Sequence, residues 1–132
     1  MKPLGYWIVW REIYLVHERL IMAVQTRRLR MLLEWRNYLP LLAEAVREVL
    51  TGAEIYVFGS ALEGNLTVDS DIDVLIIVDS LPGSGLERAR LIDKIWRAME
   101  KRGIPPYYPF KIQLITRGEL KLLEKQKLLK IP

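Results

Sequence analysis

The amino-acid sequence predicts an α/β (α+β) fold, in which helices flank a small mixed β-sheet. Three observations carry this prediction. Apolar residues recur at three- and four-residue steps in several segments, short β-branched runs are bounded by glycine or proline, and the two kinds of segment alternate along the chain. A length of 132 residues, 51% of them hydrophobic and 27% charged, suits one globular domain. The predicted order is helix, strand, strand, helix, strand, helix.

The N-terminal residues 1–24 are predicted to be an extension ahead of a single domain over residues 25–132. The extension is rich in aromatic residues, and either a short strand with a helical turn or an arm that packs on a partner fits its pattern. Charged residues from Arg11 onward interrupt its apolar patch, so it resembles neither a signal peptide nor the ~20 uncharged residues of a membrane span. We therefore expect a cytoplasmic protein without a membrane segment. Met22 and Met31 are alternative initiators, which leaves open whether the extension is native.

The first helix of the domain is predicted to begin near Gln25, with Thr26 as its cap, and to end at Gly52. Pro40 is expected to kink this helix or to divide it in two, because proline lacks the N–H that a helix interior needs. The run EIYVFG, residues 54–59, follows and predicts the first strand, since β-branched and aromatic residues favour a pleated sheet.

The second half of the chain continues the alternation. The run IDVLIIV, residues 72–78, predicts a strand that is apolar on both faces and therefore central in its sheet. Residues 86–102 predict a helix that Gly103 ends, and FKIQLIT, residues 110–116, predicts the third strand. Residues 117–130 predict a basic amphipathic helix.

Two aspartates stand at the start of the most apolar strand. Asp71 and Asp73 are two residues apart, so on a strand both carboxylates face one side, with Cβ atoms roughly 6–7 Å apart. Carboxylates beside a buried strand are costly unless they are paired or bind a cation. Mg²⁺ prefers one or two carboxylates together with substrate phosphates. The alternative is that Asp71 caps the preceding loop and Asp73 forms an ion pair with an arginine.

A Gly-Ser pair, Gly59 and Ser60, directly follows the first strand. Glycine lets the backbone turn sharply and lets a phosphate approach, and a helical turn after it would direct N–H groups and the Ser60 hydroxyl at an anion. By itself a strand that ends in Gly-Ser is usually just a turn. Ten residues separate Ser60 from Asp71, which is enough for a loop to bring the bend and the carboxylates face to face.

The combined pattern of Gly-Ser, ten residues and Asp-Ile-Asp resembles the signature of the DNA polymerase beta-like nucleotidyltransferase superfamily, and the small size resembles its minimal nucleotidyltransferases. The resemblance covers residues from about 27 to 124. It implies a nucleotidyltransferase fold and transfer of a nucleoside monophosphate, with AMP from ATP expected, to an acceptor hydroxyl with release of pyrophosphate. By position, Gly59 and Ser60 would bind the triphosphate, and Asp71 and Asp73 would hold Mg²⁺.

Other positions either extend this site or depart from the family pattern. Ser70 and Lys111 are added as candidate nucleotide-binding residues, although Lys111 equally fits a side chain that extends to water. Relatives usually carry a third carboxylate on the later strand, where this chain has Gln113, whose amide would be a weak Mg²⁺ ligand. Relatives also often carry an arginine after the Gly-Ser, within a segment that here includes Glu63.

The resemblance implies a protein partner. Small members of the family act with a helical HEPN-type protein, as the antitoxin of a toxin–antitoxin pair, and a homo- or hetero-oligomer is open. The alternative is a catalytically weakened binding module that neutralises a partner by docking through the aromatic residues of YWIVW, residues 6–10, and PPYYP, residues 105–109. Nucleic-acid binding by the arginines of residues 27–30 and the lysines of residues 121–130 ranks third, because charge runs are usually solvated helix faces.

Overall fold

The computed structural model describes the backbone of residues 4–123 and 125–132, and side chains from residue 9 onward within those ranges. The helices are α1 (Leu4–Leu33), α2 (Trp35–Val49), α3 (Ser60–Glu63) and α4 (Gly85–Lys101), and the segment Arg117–Leu123 is a 3₁₀ helix. The strands are β1 (Glu54–Phe58), β2 (Ile72–Val78), β3 (Phe110–Thr116) and β4 (Leu129–Ile131). The predicted mixed fold with flanking helices is confirmed.

The four strands form one sheet in the order β3-β2-β1-β4. Strand β1 runs antiparallel to both β2 and β4, whereas β2 and β3 are parallel and are joined through α4. The central position predicted for β2 from its apolar run is therefore confirmed, because β1 and β3 cover its two edges.

Both faces of β2 are buried, but by different layers. Ile72, Val74 and Ile76 lie in the main core, which α2 and α4 cover, and none of the three is exposed. Leu75 and Ile77 point to the other face, into a smaller cluster that the 3₁₀ helix covers in part. Burial of one such side chain contributes about 1.5–3 kcal/mol. The β2 residues between these core residues, Asp73 among them, therefore lie on the same face of the sheet as the smaller cluster.

A division of the first helix at Pro40, one of the two predicted effects of this proline, is wrong. The chain turns at Glu34, between α1 and α2, while Pro40 lies inside α2. Leu32 and Trp35, on either side of the turn, are both buried in the main core, so tertiary packing accounts for the position of the break. Pro40 removes only one backbone hydrogen bond of α2.

The described part of the N-terminal segment belongs to helix α1, which continues past residue 24. Helix α1 runs without interruption through the predicted boundary at residue 24, and the described residues of the extension contain no strand. Thr26 lies within α1, where its hydroxyl donates to the Met22 carbonyl (2.8 Å) instead of capping a new helix. None of the helices in the described residues, α1 included, combines the length and apolarity that crossing a membrane requires.

The predicted helix over residues 117–130 is wrong. Its first half is the 3₁₀ helix, and its end is β4, in which Leu129 pairs with Val57 and Ile131 with Ile55. Strand β1 would otherwise present an open edge, and pairing satisfies that edge while it buries Ile131 in the main core. Tertiary context has thus overridden a helix-like pattern.

Candidate active site

A sharp bend follows β1 at Gly59. Its φ of 77° and ψ of −150° lie in a region that residues with a side chain avoid. Helix α3 follows at once, with the Leu62 N–H donating to the Gly59 carbonyl (3.1 Å), and Gly64 ends it in a left-handed conformation. The helical turn expected after Gly59 is thus present as α3.

The bend lies directly against one of the two aspartates. Phe58, the last residue of β1, pairs with Asp73 in the antiparallel register, which places the Asp73 carboxylate beside Gly59. A Cβ built on Gly59 would lie 2.5 Å from Asp73 Oδ2, far inside van der Waals contact. A side chain at position 59 would displace the carboxylate. The bend and the Asp73 carboxylate thus face one another, as the sequence spacing predicted.

Asp73 occupies an electrostatically unfavourable position. Its side chain is half-buried, and this burial raises the pKa of the carboxyl above its usual value. The nearby negative charge of Asp71 raises the pKa of Asp73 further, and the positive charge of Lys111 opposes both effects. Asp71 itself is exposed, one residue ahead of β2. The two carboxylates and one ammonium group thus interact at one end of the sheet.

The strand register separates the roles that Lys111 and Gln113 can have. In the parallel pairing of β2 with β3, Asp73 lies opposite Lys111, and Leu75 lies opposite Gln113. Lys111 is therefore the cross-strand neighbour of the Asp73 carboxylate. Gln113 lies one step farther along the face, beside the smaller apolar cluster. Its proposed role as a weak metal ligand stays a prediction.

The loop between α3 and β2 is closed by its own polar groups. The Thr67 N–H donates to Ser70 Oγ (2.8 Å), and the Ser70 N–H donates to the Thr67 carbonyl (3.1 Å). The Ser70 hydroxyl oxygen thus already accepts a hydrogen bond within the loop, and its nucleotide-binding role stays a prediction. Arg28 Nε from α1 donates to the Val68 carbonyl, which ties the loop to that helix.

A second loop, residues 104–109 ahead of β3, supports the same end of the sheet. The Ile72 N–H, between the two aspartates, donates to the Pro109 carbonyl (2.8 Å). Burial raises the pKa of the neighbouring Tyr108, whose hydroxyl donates to the Met31 carbonyl of α1 (2.8 Å). Sequence reasoning did not find the supporting roles of Arg28 and Pro109. No local signal reveals them, because their partners are far away in sequence.

The two carboxylates suit a Mg²⁺ ion that also binds water and the phosphate oxygens of a substrate. The described residues contain no cluster of three or more His, Cys, Asp or Glu side chains that could enclose a metal ion. The carboxylate pair beside Gly59 instead matches the usual requirement of Mg²⁺, one or two carboxylates with water and phosphate oxygens completing six ligands. Asp71 and Asp73 are the residues that could hold it.

Comparison with known families agrees with this geometry. A family model described as a nucleotidyltransferase domain matches residues 39–130, which include both strands and both loops of the site. The chain belongs to the nucleotidyltransferase domain family. The match begins within α2, ends in β4 and includes none of α1.

Individual relatives match part of this chain. Spectinomycin 9-adenylyltransferases of Staphylococcus aureus strains Mu50 and N315 are 37% identical over 68 residues, half of this chain. The chain spans about a quarter of the length of these curated relatives. A crystal structure of a Sulfolobus solfataricus protein, provisionally assigned as a nucleotidyltransferase, aligns over 81% of this chain and 83% of its own, with 20% identity and a TM-score of 0.49.

Proposed function

We propose that this chain is a Mg²⁺-dependent nucleotidyltransferase that moves a nucleoside monophosphate, AMP from ATP, to an acceptor hydroxyl. One observation carries the proposal: the Gly59 bend lies against the Asp73 carboxylate with no room for a side chain between them. Bare backbone beside a carboxylate pair is where phosphate oxygens and a cation can share neighbours. The adenylyl group in the names of the curated relatives favours ATP as the nucleotide.

Each polar residue then has a defined role. Asp71 and Asp73 would hold Mg²⁺, which when bound neutralises charge on the phosphate oxygens and the leaving pyrophosphate. The backbone of Gly59, the hydroxyl of Ser60 and the ammonium group of Lys111 would contact the triphosphate. The acceptor oxygen bonds to the α-phosphorus while the bond from that phosphorus to pyrophosphate breaks, and the hydroxyl proton is lost to water. Rate acceleration comes mainly from positioning and electrostatics.

Transfer of label from ATP tests whether this reaction occurs. With Mg²⁺ and acceptor-containing extract, ATP labelled in its α-phosphate should transfer label, whereas ATP labelled in its γ-phosphate should not. Asp71→Ala and Asp73→Ala should lower the transfer rate more than about 100-fold, or ~2.7 kcal/mol in activation free energy. Asp79→Ala is the matched control, because Asp79 follows the other end of β2 and accepts a hydrogen bond from exposed Arg117 (2.6 Å). Equal α-label transfer by wild type and Asp71→Ala would refute the proposal.

We further propose that the acceptor is a helical protein of the HEPN type, in the cytoplasm, with this chain as the antitoxin. An apolar segment of α1, residues 9–24, supports a protein partner, since large apolar patches on soluble surfaces commonly mark interfaces. Ten large apolar side chains there are 39–67% exposed: Val9, Trp10, Ile13, Tyr14, Leu15, Val16, Leu20, Ile21, Met22 and Val24. Of the predicted YWIVW contact, only Val9 and Trp10 have described side chains.

One observation favours the second candidate, a binding module that docks without efficient chemistry. Lys111 lies opposite Asp73, and the described residues offer two carboxylates at this edge rather than three. Calorimetric titration with Mg·ATP separates the candidates. Binding that is lost in Asp73→Asn supports the enzyme. A wild type that captures its partner through residues 9–24, loses it in Leu20→Glu and binds no Mg·ATP supports the module.

A further inference from the structure

A cleft lies between the C-terminal half of α1 and the loop of residues 104–109 ahead of β3. Its volume is about 380 Å³, within the range of small-molecule sites. The residues that line it are Val24, Arg27, Arg28, Met31 and Tyr107. Most of its wall belongs to α1, outside the residues that the family model matches, so the family alone gives this cleft no role.

Both walls of the cleft are connected to the segments that carry the aspartates. On one side, Arg28 donates to the Val68 carbonyl, three residues ahead of Asp71. On the other side, Pro109, two residues after Tyr107, accepts from the N–H of Ile72 (2.8 Å). The cleft therefore adjoins the same end of the sheet as the carboxylate pair.

The chemistry of the lining suits a flat heteroaromatic ring. The Tyr107 ring is 71% exposed, and the Tyr108 N–H, which donates to the Pro105 carbonyl (3.0 Å), helps to hold its loop in place. An exposed ring on such a loop is a ready stacking surface, and Val24 and Met31 supply apolar contacts. Guanidinium groups only donate hydrogen bonds, so Arg27 and Arg28 favour a ring that carries acceptor atoms, as purines do.

We propose that this cleft binds the purine base of the nucleoside triphosphate whose phosphates lie at the Gly59 bend. The inference rests on the proposed function and adds to it a subsite that α1 builds. Tyr107 stacks on the base, and Arg27 contacts its acceptor edge. The base thus selects the nucleotide at a place separate from the phosphates, so binding of the base and binding of the phosphates can be altered independently.

Two ligands separate the base from the phosphates. Dissociation constants are measured by calorimetry for Mg·ATP and for Mg·tripolyphosphate, which lacks base and ribose. Tyr107→Ala should weaken Mg·ATP about tenfold, the loss expected of one base–aromatic stack, and leave Mg·tripolyphosphate unchanged. Tyr107→Phe should keep Mg·ATP binding because it keeps the ring. Leu86→Ala is the control for loss of an exposed apolar side chain, since Leu86 is 62% exposed on α4 and does not line the cleft.

Each outcome decides the inference. Unchanged Mg·ATP binding in Tyr107→Ala would overturn it, since no base would then stack there. Mg·tripolyphosphate binding that weakens in Arg27→Ala would also overturn it, because the cleft would then hold phosphate. Mg·ATP binding that is lost in Asp73→Asn but unchanged in Tyr107→Ala overturns the base subsite alone and leaves the proposed function standing. A wild type that binds neither ligand overturns the proposed function together with this inference.

Discussion

Substitution of Gly59 by alanine tests the geometry on which the candidate site depends. The added Cβ would meet Asp73 Oδ2 at 2.5 Å and Cγ at 3.5 Å, so the carboxylate must move. The backbone conformation adds a second cost, because φ of 77° with ψ of −150° is nearly restricted to glycine. Such strain is worth about 1–3 kcal/mol for a residue with a side chain.

Gly64→Ala provides the matched control. Gly64 also has a positive φ, 72°, but a Cβ there would meet no atom within 4 Å. Left-handed strain alone costs about 1–2 kcal/mol, and the unfolded state changes alike in both variants. Gly59→Ala should therefore lower stability by more than Gly64→Ala, and each additional 1 kcal/mol lowers Tm by about 3–5 °C for a chain of this length.

A double-mutant cycle isolates the contact itself. In the Asp73→Ala background the Gly59→Ala substitution has no carboxylate to displace, so only the backbone strain remains. We expect Gly59→Ala to cost at least about 0.5 kcal/mol less in that background, measured by guanidinium unfolding of the four proteins. In the presence of native Asp73, Gly59→Ala should also weaken Mg·ATP binding, whereas Gly64→Ala should not. Equal unfolding costs in both backgrounds would refute the inferred contact between bend and carboxylate.

Three further predictions concern stability. Burial raises the pKa of Asp73 in the folded state, so its charge opposes folding at neutral pH. Asp73→Asn should therefore stabilise the protein at neutral pH. Denaturant titrations should show that this gain shrinks as the pH falls through the raised pKa of the folded state and vanishes below the ordinary pKa of the unfolded state. Tyr108→Phe removes the hydrogen bond to Met31 and should cost about 0.5–1.5 kcal/mol, with faster hydrogen exchange at the end of α1. Ile131→Ala should cost about 2–5 kcal/mol by thermal unfolding, and exposed Leu129→Ala much less, whereas comparable costs would contradict the pairing of β4.

Much of the fold was predictable because its signals are local. The first three strands and α4 follow from apolar periodicity and from the glycine and proline residues that bound them, and all four are confirmed. Two of the errors arise where distant contacts compete with local pattern. The position of the helix break follows the burial of Leu32 and Trp35 rather than Pro40, and residues 129–131 follow the open edge of β1 rather than their own helix-like spacing.

The candidate site divides in the same way. The spacing of Gly59 and Asp73 predicted that a bend would meet a carboxylate, and the structure places them in contact. The neighbour across the sheet was not predictable, because a strand's sequence does not state its register. One shift of two residues would exchange Lys111 for Gln113 beside Asp73.

The sequence by itself determined which segments form most of the helices and strands, which strand is central, and where the carboxylate pair and the glycine bend lie. Each of these features depends on residues within one short segment. The tertiary structure alone decided that Lys111 stands opposite Asp73, that β4 covers β1, and that Arg28 reaches across 40 residues to Val68. These features depend on which distant surfaces bury one another best. That choice is made by the packing of the whole domain, and no single segment contains it.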